Sequence, residues 1–169
     1  MLTFRCTQRV LRRLGIETIA DAPVSTTRLG DWYINLLLVR RHRLLIFVSE
    51  PTLLSVFIPV NELSTLIPRF RRGLADVLQA LGAPARAIEV EISDIETVAF
   101  AGTANRSVLG SMNDLIFQAK WELEGDPQQT LVELGLRLSQ IPCKPLGYRY
   151  PREAARVRLA GERPAALET

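Results

Sequence analysis

The segment from Asp31 to Pro59 constrains the fold more than any other part of the chain. It reads "DWYINLLLVRRHRLLIFVSEPTLLSVFIP". Strict alternation puts Trp32, Ile34, Leu36 and Leu38 on one face of an extended strand, and Tyr33, Asn35, Leu37 and Val39 on the other. "RRHR" interrupts the pattern, "LLIFVSE" resumes it, "EPT" interrupts it again, and "LLSVFIP" closes it at Pro59. Neither interruption has room for a crossover helix, so the three strands run as an antiparallel meander. Both faces are largely apolar, which predicts a sheet covered on both sides.

Two further strands are expected near residues 2–7 ("LTFRCT") and 97–102 ("TVAFAG"). Between the first strand and the meander, "TQRVLRRLG" predicts one or two helical turns, with Thr7 as N-cap and Gly15 as C-cap. Residues 16–30 read as a loop. After the meander the period changes to three and four through Leu63, Leu66, Phe70, Leu74, Val77, Leu78 and Leu81, an amphipathic helix ending at Gly82. Pro68 requires either a short turn before a helix that starts near it, or a kink. Pro84 can open the next helix at its first turn, with Ile88, Ile92 and Ile95 on one face. A helix is expected from Asn105 to about Glu124, and another from Asp126 with Pro127 at its first position. The expectation is an α+β domain: a mainly antiparallel sheet of four to five strands packed by four to five helices. One domain over residues 1–145 is followed by an irregular tail over 146–169.

The helix from Asn105 carries an unusual beginning, "NRSVLGSMND". Val108, Met112, Leu115, Ile116, Ala119 and Leu123 form its core stripe. Ser107, Ser111, Asp114 and Gln118 form a second, polar stripe at spacings of four, three and four. Asn105 is a good N-cap, and the N–H groups after it, with Arg106 alongside, suit a phosphate or carboxylate. The spacing does not match a P-loop. Asn35, in an otherwise apolar strand, needs a hydrogen-bond partner and is placed to face this polar strip. Cys6 and Thr7 end the first strand and border the same region. The candidate binding residues are therefore Asn35, Asn105, Arg106, Ser107, Ser111 and Asp114. The competing account is structural: Asn105 caps, Gly110 and Ser111 permit close packing, and Asp114 bonds a neighbouring loop.

Charge adds a second candidate. Net charge is +3, and all but two of the 21 lysine and arginine residues are arginine. Arg40, Arg41 and Arg43 cluster at the hairpin tip, where they serve either as a solvated turn or as a finger that meets phosphates. His42 is the only histidine, so a Ser–His or Cys–His pair has His42 or nothing as its base. Cys6 and Cys143 are the only cysteines, and no Cys/His spacing suits a metal. No metal site and no cofactor are expected. The arginine-interleaved start lacks the apolar run of a signal peptide, and no stretch has the length of a membrane span, so a cytoplasmic location is expected.

"MLTFRCTQRVLRRL", the meander and "TANRSVLGSMNDL" together resemble an uncharacterised bacterial domain-of-unknown-function family. Its members open with an MLxFRCTxxLL run and carry an NRSVLGSMND block. The resemblance covers Met1 to about Leu123 and implies a compact bacterial domain. It brings no activity, cofactor or catalytic residue with it. Three functional classes stay open. One is a binding module for an anionic partner, nucleic acid or protein, in a defence, mobile-element or toxin–antitoxin setting. Another is a small hydrolase or transferase acting on a phosphate-bearing substrate, with Asp114 as base and Arg106 as anion clamp. The third is a scaffold without ligand, for which a homodimer is compatible.

Overall fold

The alternating segment forms the three expected strands: β2 (Trp32–Val39), β3 (His42–Ser49) and β4 (Ser55–Pro59). The computed structural model describes residues 1–161. Strand β1 (Leu2–Cys6) and strand β5 (Val98–Gly102) complete a five-stranded sheet in the order β4-β3-β2-β1-β5. The meander is antiparallel throughout, whereas β1 runs parallel to both β2 and β5. Arg5 thereby sits between Tyr33 on one side and Ala101 on the other.

Both faces of the sheet are covered. On one face Phe4, Trp32, Ile34, Phe47 and Val56 pack against α1 (Gln8–Leu14), α2 (Leu66–Ala80) and α3 (Ala85–Ser93). Phe70 of α2 anchors this layer, with its ring centroid 5.1 Å from Phe4, 5.1 Å from Trp32 and 4.6 Å from Phe47. On the other face Tyr33, Leu37, Val39 and Ile46 receive Val108, Met112, Leu115, Ala119 and Leu123 of α4 (Arg106–Gly125). Helix α5 (Leu131–Leu138) bridges the layers, with Leu134 and Leu138 in the second core and Val132 and Leu136 against the first.

Two expectations change, and the choice left open at Pro68 is decided. Pro68 does not kink a long helix: a 3-10 turn over Leu63–Thr65 precedes α2, and Pro68 lies in its first turn, where a missing N–H is harmless. The helix expected from Asp126 starts instead at Leu131. Thr130 and Glu133 form a reciprocal capping box there, stronger than the signal of Pro127. Residues 146–169 are not uniformly irregular: α6 spans Pro151–Leu159 and buries Ala155 and Leu159, so the structured chain continues past residue 145. The rest of that stretch, from residue 162, lies outside the described residues.

Candidate functional site

Three regions receive the residues singled out above. The first is the start of α4. Asn105 Oδ1 accepts the N–H groups of Ser107 (3.0 Å) and Val108 (3.3 Å). Asn105 Nδ2 donates to Glu50 Oε1 at 3.0 Å, and its backbone N–H donates to the Tyr33 hydroxyl oxygen at 3.0 Å. Arg5 is held nearby by an ion pair with Asp31 at 2.9 Å. Arg5, Tyr33, Glu50, Ala104, Asn105 and Arg106 line an open depression of about 420 Å³. Burial pushes the Tyr33 phenol up, while the N–H of Asn105 draws it down. The N–H groups of Asn105, Ser107 and Val108 at this helix start are therefore engaged by the protein's own oxygens. Arg106 is exposed and, among the described residues, in no ion pair.

The second region is a cleft of about 370 Å³ between α4 and residues 141–148. Ser111, Asp114, Phe117 and Gln118 form one wall; Cys143, Lys144 and Tyr148 belong to the other. The opposing loop is tightly closed: Cys143 N–H donates to Arg149 O at 3.1 Å, and Tyr148 N–H donates to Cys143 O at 3.0 Å. Burial pushes the Cys143 thiol up, and the nearby Asp114 carboxylate adds to this. A thiol so placed stays protonated and is a poor nucleophile. Asp114 and Arg106 are two helical turns apart, roughly 12 Å along the axis, and they line different concavities.

Ser107 and Asn35 stand outside both concavities. Ser107 is exposed beyond the cap. Asn35 does not bond the polar strip: its Oδ1 accepts the Thr7 hydroxyl (2.9 Å) and the Leu36 N–H (2.8 Å). It thus ties the entry of α1 to β2. This explains why Thr7 ends β1 but offers no side-chain cap to α1. Cys6 is buried beside it, its thiol pushed up to about 12 by desolvation.

The third region lies at the tip of the β2–β3 hairpin. Val39 pairs with His42, leaving Arg40 and Arg41 as a two-residue turn with Arg40 at φ 49°. Strand β4 ends alongside, with Val60 N–H donating to Arg43 O at 2.9 Å. The end of α1 meets the segment after β4: Arg13 and Leu14 share a shallow depression of about 450 Å³ with Val60, Asn61, Glu62 and Leu63, and none of Arg40, Arg41 and Arg43 lines it. Arg69 reaches in as well, donating to Pro59 O and, at 3.0 Å, to Thr65 Oγ1. Among the described residues, none of Arg13, Arg40, Arg41, Arg43 and Arg69 forms an ion pair. Sequence reasoning found the tip but missed Arg13, since nothing local links α1 to a hairpin formed much later in the chain.

Comparison with known proteins adds the family. A family model described as a domain of unknown function, DUF6933, matches residues 3–154. The chain belongs to the DUF6933 family. The match covers nearly all of β1 and extends through α5 into α6, so every candidate residue above belongs to the DUF6933 domain. No curated protein and no solved structure matches the chain significantly. Among the described residues of this DUF6933 chain, no helix is long and apolar enough to cross a membrane.

Proposed function

We propose that the protein is a non-enzymatic binding module that engages a polyanion, nucleic acid by its chemistry, through the basic end of the sheet. The observation that carries this is that Val60, whose N–H bonds Arg43 O at the foot of the tip, lines one depression with Arg13. Two segments distant in sequence deliver guanidinium groups that form no ion pair among the described residues, and among these Glu62 is the only acid lining the depression. Guanidinium groups in that arrangement suit phosphate oxygens spaced along a backbone. Arg40 supports the reading in a second way. A non-glycine residue at φ 49° carries backbone strain, and it holds a long cationic side chain at the extreme tip.

The catalytic alternative has less behind it. Asp114 has beside it a thiol that burial keeps protonated, and Arg106 opens on another concavity. The experiment is fluorescence anisotropy with labelled single-stranded RNA, single-stranded DNA and duplex DNA. It compares the wild type with Arg40→Ala/Arg41→Ala/Arg43→Ala and with Arg13→Ala. The reading expects weaker binding in both variants at unchanged melting temperature. Equal affinity across all three proteins sinks it.

A further inference from the structure

The chain's two tryptophans have opposite fates. Trp32 is fully buried in the first core, whereas Trp121 on α4 is 67% exposed. Phe117, one turn earlier on the same helix face, is 69% exposed, and Tyr148 across the cleft from it is 68% exposed. Rings of this kind bury roughly 150–250 Å² each when they find a partner, and they dominate the energetics of interfaces. The other exposed apolar residues, such as Val24, Ile19 and Leu38, are aliphatic and lie in a loop or near the hairpin tip.

Tyr148 is also held in place at a cost. Gly147 and Tyr148 have φ values of 62° and 61°, consecutive left-handed residues, and only the glycine adopts that conformation without strain. The turn is fixed by the backbone bonds from Tyr148 N–H and Leu146 N–H to Cys143 O and from Arg149 N–H to Leu146 O. Strain sustained in a tightly bonded loop, with the aromatic ring facing out, marks a segment built to present that ring.

We propose that this face, built on Phe117, Trp121 and Tyr148, is the surface through which two copies of the chain associate. The charges around the rings indicate the occupant. Both lysines of the chain, Lys120 and Lys144, lie beside the aromatics, and so do Asp114 and Glu124. All four are exposed, and among the described residues none is in an ion pair. A polyanion meets the two carboxylates here, and a strongly basic partner meets the two ammonium groups. A face that carries both signs beside its rings can pair its acids with the lysines of a second copy on both sides of a two-fold axis. That self-complementarity is what an isologous interface requires. The face shares no residue with the basic end, and its test reads association rather than nucleic-acid binding, so the inference stands apart from the polyanion reading.

The test is sedimentation velocity on the full chain over a dilution series reaching about 100 µM. Wild type is expected to pass from monomer to dimer within the series. Phe117→Ser/Trp121→Ser is expected to stay monomeric, with an unchanged far-UV circular dichroism spectrum, because neither ring supports the fold. Tyr148→Ser, on the opposing loop, supplies an independent variant expected to weaken the dimer at least tenfold. Asp114→Lys is expected to weaken it as well, by setting like charges against each other. A wild type that is monomeric throughout overturns the proposal. So does a dimer that survives the loss of both α4 rings, which would place the interface elsewhere.

Discussion

The Tyr33 hydroxyl oxygen accepts the backbone N–H of Asn105 at 3.0 Å. One bond therefore joins the central sheet to the first turn of α4, with the ring of Tyr33 buried and its oxygen at the rim of the depression. The same oxygen stands where an anion at this helix start would accept a proton donor. Tyr33→Phe keeps the packing and removes the acceptor. It is expected to lower stability by about 1 kcal/mol, read from urea unfolding midpoints.

The phenol adds a pH signature. Its pKa is raised in the folded protein, first by burial. The folded state thus holds this proton more tightly than the unfolded chain does. The resulting stability is present below the unfolded value of 10.0 and is lost as pH rises through the folded one. Alkaline unfolding curves should show this loss in wild type and less of it in Tyr33→Phe.

Glu91 is fully buried and accepts two backbone N–H groups, Arg28 at 2.9 Å and Leu29 at 3.0 Å, one on each oxygen. It clamps the loop between α1 and β2 onto α3. Glu91→Gln leaves one oxygen to accept and sets an amide N–H against the other donor. A loss of about 1–3 kcal/mol is expected, with the loop more open to hydrogen exchange at Arg28 and Leu29. Desolvation raises the Glu91 carboxyl, so its proton stabilises the folded state as pH falls through the folded value, and that contribution is lost as pH rises. Wild-type stability measured relative to Glu91→Gln should accordingly increase as pH falls through the folded value towards the unfolded one of 4.5.

Two glycines give opposite expectations. A Cβ at Gly110 meets nothing within 4 Å, so the glycine of "NRSVLGSMND" admits no close-packed neighbour. The packing explanation for it fails. Gly110→Ala should stabilise by about 0.5–1 kcal/mol, through helix propensity and a less free unfolded chain. At Gly135 the Cβ would lie 3.1 Å from the backbone carbonyl oxygen of Ser55. Gly135→Ala should destabilise by roughly 1–3 kcal/mol, since α5 must move off β4. Thermal melts of the two variants, run together, check both signs.

What the sequence revealed depended on how local the signal was. The meander was legible because alternation and short turns act within a few residues. The parallel pairing of β1 with β2 and β5 was not, since each partner lies beyond a long connection that carries no pairing information. Helix α6 was hidden because "PREAARVRL" interleaves four charged residues with short apolar ones and buries Pro151, Ala155 and Leu159 alone. The core stripe of α4 was read correctly, but the exposed rings of Phe117 and Trp121 on its outer side were passed over. Its opposing wall, Cys143 to Tyr148, is brought in by tertiary structure and left no trace near residue 111. For the same reason Asn35, a polar residue in an apolar strand, pointed to a site and turned out to hold the entry of α1.

If the basic end binds polyanions, affinity falls steeply as salt rises, because bound phosphates release their counterions. Four arginines, Arg13, Arg40, Arg41 and Arg43, neutralising single-strand phosphates should give a log–log slope of affinity against salt of about −3. In Arg40→Ala/Arg41→Ala/Arg43→Ala the slope should shrink to about −1. Wild-type binding that is absent at low salt, or a slope the triple variant leaves unchanged, would contradict the account.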